Sequence, residues 1–297
     1  MHKQTGRGQG GGELLDNALV VHTGGLGDFL LTCPALRHLG SENRLCLLGR
    51  KERLELAVAA GIADAAEDMD VVDFDSVFSG PSPVLRSFLG RFRGAVVWMK
   101  DDGTIRRGFG QAGIQDVTSF PGKPPAQWDR HASEYYLDCL GLGPAPPLCM
   151  DIGPADAALD TVIHPGSGSP RKNWPLERFV AVAEAFEAGG RRVTWSLGPA
   201  EEGVRLPPGH CVVRDASLIE LARMLGAARF YLGNDSGVTH LAAAVGCPTV
   251  AIFGPTDPKV WAPRGAHVRV VGGAPWPNIS EVIAACLDMA HGRLLRA

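Results

Sequence analysis

The 297-residue chain is 45% hydrophobic and 21% charged, with a net charge of −3; this is globular composition with length for two domains of ordinary size. Basic and acidic residues nearly balance in each half, which speaks against a nucleic-acid-binding surface. Seven scattered cysteines without a C-x-x-C pair argue against a disulfide framework or a zinc site and fit a reducing, cytoplasmic setting.

Residues 1–16 are glycine-rich and have no apolar h-region, so a disordered lead-in is expected there and not a signal peptide. Asn17–Thr23 reads as a first strand, Gly24–Asp28 as a turn, and the following FLLTCPALRHL as a helix with Pro34 in or near its first turns. Further strands are expected at Arg44–Gly49, Val71–Phe74, Ala95–Met99 and Asp116–Phe120, with helices at Glu52–Ala60, Val84–Phe92 and His131–Leu140 between or after them. Strand and helix in alternation imply a parallel sheet. The Pro-, Gly- and Ala-rich stretch Gly141–Asp160 has no sustained period, and a linker over 146–160 divides a first Rossmann-like domain, 17–145, from a second, 161–297. In the second, strands are expected in TVIHP, RVTWSLG, HCVVRD, RFYLGN, TVAIFG and HVRVVG, and helices at Trp174–Gly190, Ser217–Leu225, Gly237–Val245 and Ile279–Met289. The longest uncharged run, Ser236–Thr256, is broken by Gly246 and Pro248, so a soluble protein is expected, at most peripheral to a membrane.

The densest chemistry lies in Gly233–Pro258, GNDSGVTHLAAAVGCPTVAIFGPTDP. A buried strand runs there into a helix whose first residues include two good N-cap types, Asp235 and Ser236, and the side-chain-free Gly237. Such a helix N-terminus can hold an anion, phosphate above all, at the carboxyl end of a parallel strand. Capping alone is the plainer alternative for Asp235 and Ser236; Thr239 and His240 add polar groups in the same turn. The loop HPGSGSPRKNWP (His164–Pro175) offers backbone amides and the cations Arg171 and Lys172, a second phosphate-compatible feature. In SLGPAEE (Ser196–Glu202), after another strand, a carboxylate could accept from ribose hydroxyls. The Gly24–Asp28 turn lacks the third glycine of G-x-G-x-x-G and the acidic residue that should end the next strand, which disfavours a dinucleotide. Asp28 alone could be a first-turn carboxylate favoured by the dipole. No P-loop, H-E-x-x-H, EF-hand or Ser/His/Asp signature is present. His22 and His164 read as packed or hydrogen-bonded strand-end histidines.

With these residues in hand the chain resembles glycosyltransferase family 9, the ADP-heptose:lipopolysaccharide heptosyltransferases. The likeness rests on Gly233–Pro258, on HPGSGSPRKNWPLERF and on TGGLGDFLLTCPAL, in the family's order. The resemblance implies a GT-B fold, two Rossmann-like domains facing across a cleft, and inverting, metal-independent sugar transfer from a nucleoside diphosphate to a glycan or glycolipid acceptor, with the protein cytoplasmic and at most peripheral on the inner face of the membrane. By the same resemblance no metal and no cofactor is expected, the ADP-linked sugar being a substrate; Asp28 would be the general base and Lys172 the phosphate-binding cation. The donor would be held by Gly27, Ser167, Lys172, Glu201, Asp235, Ser236, Gly237, Val238, Thr239 and His240. The family often has a basic residue where His22 stands and serines where Gly24 and Gly25 stand, so His22 and Thr23 bear on acceptor contacts. Arg106 and Arg107, with Arg86, Arg91, Arg93 and Lys100, could form an anionic-acceptor face. A nucleotide-sugar epimerase and a catalytically silent nucleotide-sugar-binding protein are the competing readings.

Overall fold

A computed structural model of the chain describes residues 17–154 and 157–294; the lead-in expected over 1–16 lies outside the described residues. The first sheet contains β1 (Asn17–His22), β2 (Arg44–Gly49), β3 (Ala65–Asp68), β4 (Gly94–Trp98) and β5 (Asp116–Phe120) in the order β3-β2-β1-β4-β5. All four pairings are parallel. Helices α1 (Leu26–Glu42), α2 (Lys51–Ala59), α3 (Pro83–Leu89), α4 (Thr104–Gln111) and α5 (Ala132–Cys139) accompany it. The central strands are apolar throughout because both faces are covered: Val20 and Leu47 point to one core, Leu19 and Leu48 to the other.

The second sheet repeats the plan with β6 (Leu159–His164), β7 (Val193–Leu197), β8 (Cys211–Arg214), β9 (Ala228–Asn234), β10 (Thr249–Phe253) and β11 (Val268–Gly272), ordered β11-β10-β9-β6-β7-β8. Again every pairing is parallel. Its helices are α6 (Leu176–Ala188), α7 (Leu218–Gly226), α8 (Gly237–Ala244), α9 (Pro258–Trp261) and α10 (Ile279–Leu294). In each sheet the strand order reverses direction at its centre, between β1 and β4 and between β6 and β9. Ligands of open α/β sheets bind outside the carboxyl ends of strands at such switch points.

The two sheets are joined by a helical seam. Helix α1 packs on α8 and α2 on α7, and Leu30, Leu31 and Leu54 share one buried cluster with Leu221, Leu225 and Leu241. Cross-seam polar contacts add register: the His131 ring meets the Ala262 carbonyl at 2.7 Å, and Arg264 pairs with Glu134. Among the described residues no helix is long and apolar enough to cross a membrane.

Four sequence expectations are corrected. The third strand is Ala65–Asp68 and not Val71–Phe74: Val71 is 71% exposed, and Asp73 turns the chain at φ 55° into a 3-10 helix, Phe74–Phe78. Helix α1 begins at Leu26, inside the expected turn, so Pro34 is interior to it. A mid-helix proline forgoes one backbone bond, and the buried flank Phe29 to Leu36 holds the helix together around it. Two helices escaped notice, α4 and the short α9. Elsewhere boundaries shift by a few residues at most, as at Trp174, which lies buried before α6 begins at Leu176.

Candidate active site

The two carboxyl edges face each other across a cleft of about 690 Å³, in the range of sites that enclose small molecules. On the second sheet, β9 ends at Asn234 and α8 begins at Gly237. Ser236 is the N-cap: its Oγ accepts from the Thr239 amide at 3.3 Å, leaving the amides of Gly237 and Val238 as donors for an anion at the positive end of the helix. Asp235 is no cap; its Oδ2 takes Lys172 Nζ at 3.1 Å and the Thr256 hydroxyl at 2.7 Å. Lys172 arrives from the loop after β6, fastened to the end of β9 by fully buried Asn234. The Asn234 Oδ1 accepts from the Trp174 amide at 2.9 Å, and its Nδ2 donates to the Pro165 carbonyl at 2.6 Å. Unpairing either buried amide group costs about 1–3 kcal/mol, so Asn234 fixes where the Lys172 loop stands.

Deeper along the same edge, Glu201 is buried with Oε2 accepting from the Gly198 amide at 2.9 Å. Gly166 has no room for a Cβ against that carboxylate. His164 Nδ1 donates to the Ser196 carbonyl at 2.8 Å; burial holds this ring below its ordinary pKa although Glu201 pulls the other way. The Ser167 hydroxyl is engaged within its own loop, at 2.7 Å from the Ser169 carbonyl and 2.6 Å from Asn173 Oδ1.

On the first sheet, β1 delivers Asp28 at the third position of α1. Gly25 has no side chain with which to cap, so only half of a capping box exists: Asp28 Oδ2 accepts from the Gly25 amide at 3.2 Å. The same oxygen meets Lys123 Nζ at 3.2 Å. Arg53, from α2, donates to the Gly24 carbonyl at 2.8 Å and lines the cleft. The first turns of α1 and α8 abut, since a Cβ on Gly237 would stand 2.7 Å from Leu26 Cβ and 2.9 Å from the Gly27 amide nitrogen. His240 sits at this junction, its pKa lowered by burial and by Lys172 against the pull of Asp235 and Asp28. One ring thus senses the charged groups of both walls.

Of the residues singled out from sequence, Gly27, Asp28, Ser167, Lys172, Glu201, Asp235, Ser236, Gly237, Val238 and His240 all line this one cleft. Four do not. Thr239 is fully buried, its hydroxyl shared among the Asn234 carbonyl, Ser236 and Tyr231, so it braces the turn and offers a ligand nothing. His22 is buried beneath Gly24, edge-on to Phe29, with its pKa lowered to about 4 by burial. A Cβ at Gly24 would meet the His22 ring at 2.8 Å, so glycine at 24 and histidine at 22 are one packing choice. Thr23 is half-buried behind the same turn and does not line the cleft. Arg106 and Arg107 are exposed on α4, away from the cleft. Of the wider basic set, Arg86 is spent on the Pro81 and Gln111 carbonyls, and Arg91 lies over the Phe88 and Phe92 rings. Sequence reading missed Arg53, Lys123, Asn234 and Thr256; the last two lie in or beside the Gly233–Pro258 stretch and could have been found there. No three His, Cys, Asp or Glu side chains gather as a metal site among the described residues.

Two facing parallel α/β sheets whose switch-point strands deliver a carboxylate from one side and a helix N-terminus with a lysine from the other define a GT-B architecture. Residues 156–287 match the sequence model of glycosyltransferase family 9 (heptosyltransferase). The chain is similar to lipopolysaccharide heptosyltransferase 3 of Escherichia coli, 30% identical over 150 residues, which cover 47% of this chain and 39% of that protein. The matched stretch therefore spans less than half of the curated relatives' length. The fold likeness is longer. The family 9 glycosyl transferase of Veillonella parvula superposes with a TM-score of 0.76 at 18% identity, covering 93% of this chain and 98% of that one. The ADP-heptose lps heptosyltransferase II of E. coli superposes with a TM-score of 0.74 at 16% identity, covering 93% and 99%.

Proposed function

We propose that this protein is an inverting glycosyltransferase that moves a heptose, or a related sugar, from an ADP-linked donor to a lipopolysaccharide-core-type or other glycan acceptor, without a metal ion. The observation that carries the reading is the opposition of Asp28 to Lys172 and the α8 N-terminus across one cleft. The similarity to lipopolysaccharide heptosyltransferases favours this donor and acceptor over others.

In this reading the acceptor hydroxyl attacks the anomeric carbon from the face opposite the diphosphate. Asp28 takes its proton, the new glycosidic bond forms, and the bond to the diphosphate oxygen breaks with inversion. Negative charge grows on the departing ADP. Lys172 and the amides of Gly237 and Val238 face that charge before the reaction starts, and such preorganised donors lower the barrier more than groups that must reorganise. Asp235 holds Lys172 at the cleft; Glu201 and His164 would lie beside the nucleoside. A glycolipid acceptor would bring the protein to the inner face of the membrane as a peripheral partner.

A thermal-shift panel of ADP, UDP, GDP and their sugars tests the donor class, because a ligand selective for the folded state raises the unfolding temperature by mass action. ADP and ADP-heptose should shift it most, and silence from every nucleotide would sink the reading. Incubation of donor with and without acceptor then separates transfer from epimerisation, since only an epimerase turns over ADP-sugar alone.

A further inference from the structure

We propose that Lys123 is the positioning residue of the base, holding the Asp28 carboxylate in one orientation by occupying the same oxygen that the helix start occupies. The inference rests on the reading of Asp28 as the base. Nothing in the sequence around Lys123, a Pro-Gly-Lys-Pro-Pro turn, suggests a role; the structure does, because that turn is tied down by the first domain's aromatic core. The Tyr135 hydroxyl donates to the Pro121 carbonyl at 2.7 Å, and the Tyr136 hydroxyl donates to the Gly122 carbonyl at 3.1 Å. Gly122 itself lies so close to the Trp98 carbonyl that a Cβ would stand 2.8 Å from it. Trp98 and Tyr136 are both essentially inaccessible to solvent and meet edge to face at 5.8 Å. The lysine is thus launched from a fixed backbone, and its otherwise exposed side chain ends 3.2 Å from Asp28 Oδ2.

With its lysine in solvent, although Asp28 is largely buried, the pair is screened by water and adds about 1 kcal/mol to stability, so stability is a poor account of it. Orientation is a better one. Gly25 N–H and Lys123 Nζ both fall on Oδ2, so Oδ1 carries neither and its lone pairs remain for the acceptor proton. A carboxylate freed to rotate spends much of its time misaligned, and misalignment of a reacting group by about an ångström can cost on the order of a hundredfold in rate.

The test is steady-state transfer from ADP-heptose to a heptose-deficient lipopolysaccharide core by the full chain carrying Lys123→Met, Lys123→Arg or Asp28→Asn. Lys123→Met should lower kcat about tenfold while the KM of donor and acceptor and the unfolding temperature stay put. Lys123→Arg should restore most of the loss. Unchanged kcat in Lys123→Met, or a raised acceptor KM at full kcat, overturns the inference; the second result would make Lys123 an acceptor-binding cation. Wild-type turnover by Asp28→Asn removes the base and this inference together, whereas an inactive Asp28→Asn beside a fully active Lys123→Met overturns the inference alone.

Discussion

The two walls of the cleft are built from one local pattern, a parallel strand, a short turn and a helix N-terminus, yet they end with opposite chemistry. On the second sheet the helix is capped from outside by Ser236, so its first amides point free into the cleft and the nearby carboxylate, Asp235, is already neutralised by Lys172 and Thr256. On the first sheet the cap residue is glycine, and the helix is closed from inside by Asp28 at its third position. That places a carboxylate where the other wall places donors. Where the cap sits decides whether a helix end presents positive or negative groups to a ligand.

The comparison is most severely broken at Asp28. Asp28→Ala should lower kcat by about 10²–10⁴-fold, the usual worth of a general base, while calorimetry finds ADP affinity within twofold of wild type. Acid reaches the same wall from behind. His22 is held at a pKa of about 4 by burial, against 6.5 in the unfolded chain, so the unfolded chain takes up the proton first. Stability is therefore full above about pH 6.5 and falls as the pH drops toward 4, by up to about 3 kcal/mol for this residue. In chemical denaturation His22→Leu should show a shallower decline over that window. An equal slope would assign the acid sensitivity to other groups, among them His131, whose pKa is likewise lowered to about 4.

Lys172→Ala strikes the donor wall instead. A charge-assisted hydrogen bond is worth about 1.5–3 kcal/mol, so ADP should bind about 10- to 100-fold more weakly; unchanged affinity would move the diphosphate elsewhere. The smallest effects sharpen the meeting point of the two helices. Gly237→Ala forces a Cβ onto Leu26 and the Gly27 amide and should cost about 1–3 kcal/mol. Gly27→Ala meets nothing closer than 3.6 Å and should cost under about 0.5 kcal/mol. Equal losses in thermal unfolding would mean that the seam yields to either side chain.

Much of this was legible in the chain because parallel strands buried on both faces write themselves as apolar runs, as in LVVH and TVAIF. The turn at Asp235–His240 was legible for the same reason: a strand end, cap residues and a glycine fall within a few positions. What could not be read depended on distance. The strand Ala65–Asp68, AAED, has no β-branched residue and exists because it pairs with β2. Lys123 reaches a carboxylate 95 positions away in a turn with no period of its own. Thr239 looked like a ligand group and is a brace, a distinction made by the Tyr231 and Asn234 groups packed beneath it.

The shared cluster beneath the cleft, in which Leu30 and Leu54 pack with Leu221 and Leu241, bears on how such chains can be recombined. A first half from one protein grafted onto a second half from another would have to bring a matching set of seam side chains. A chimera that exchanged only the loops at the cleft mouth would keep its joint intact, and is the safer route to a changed cleft.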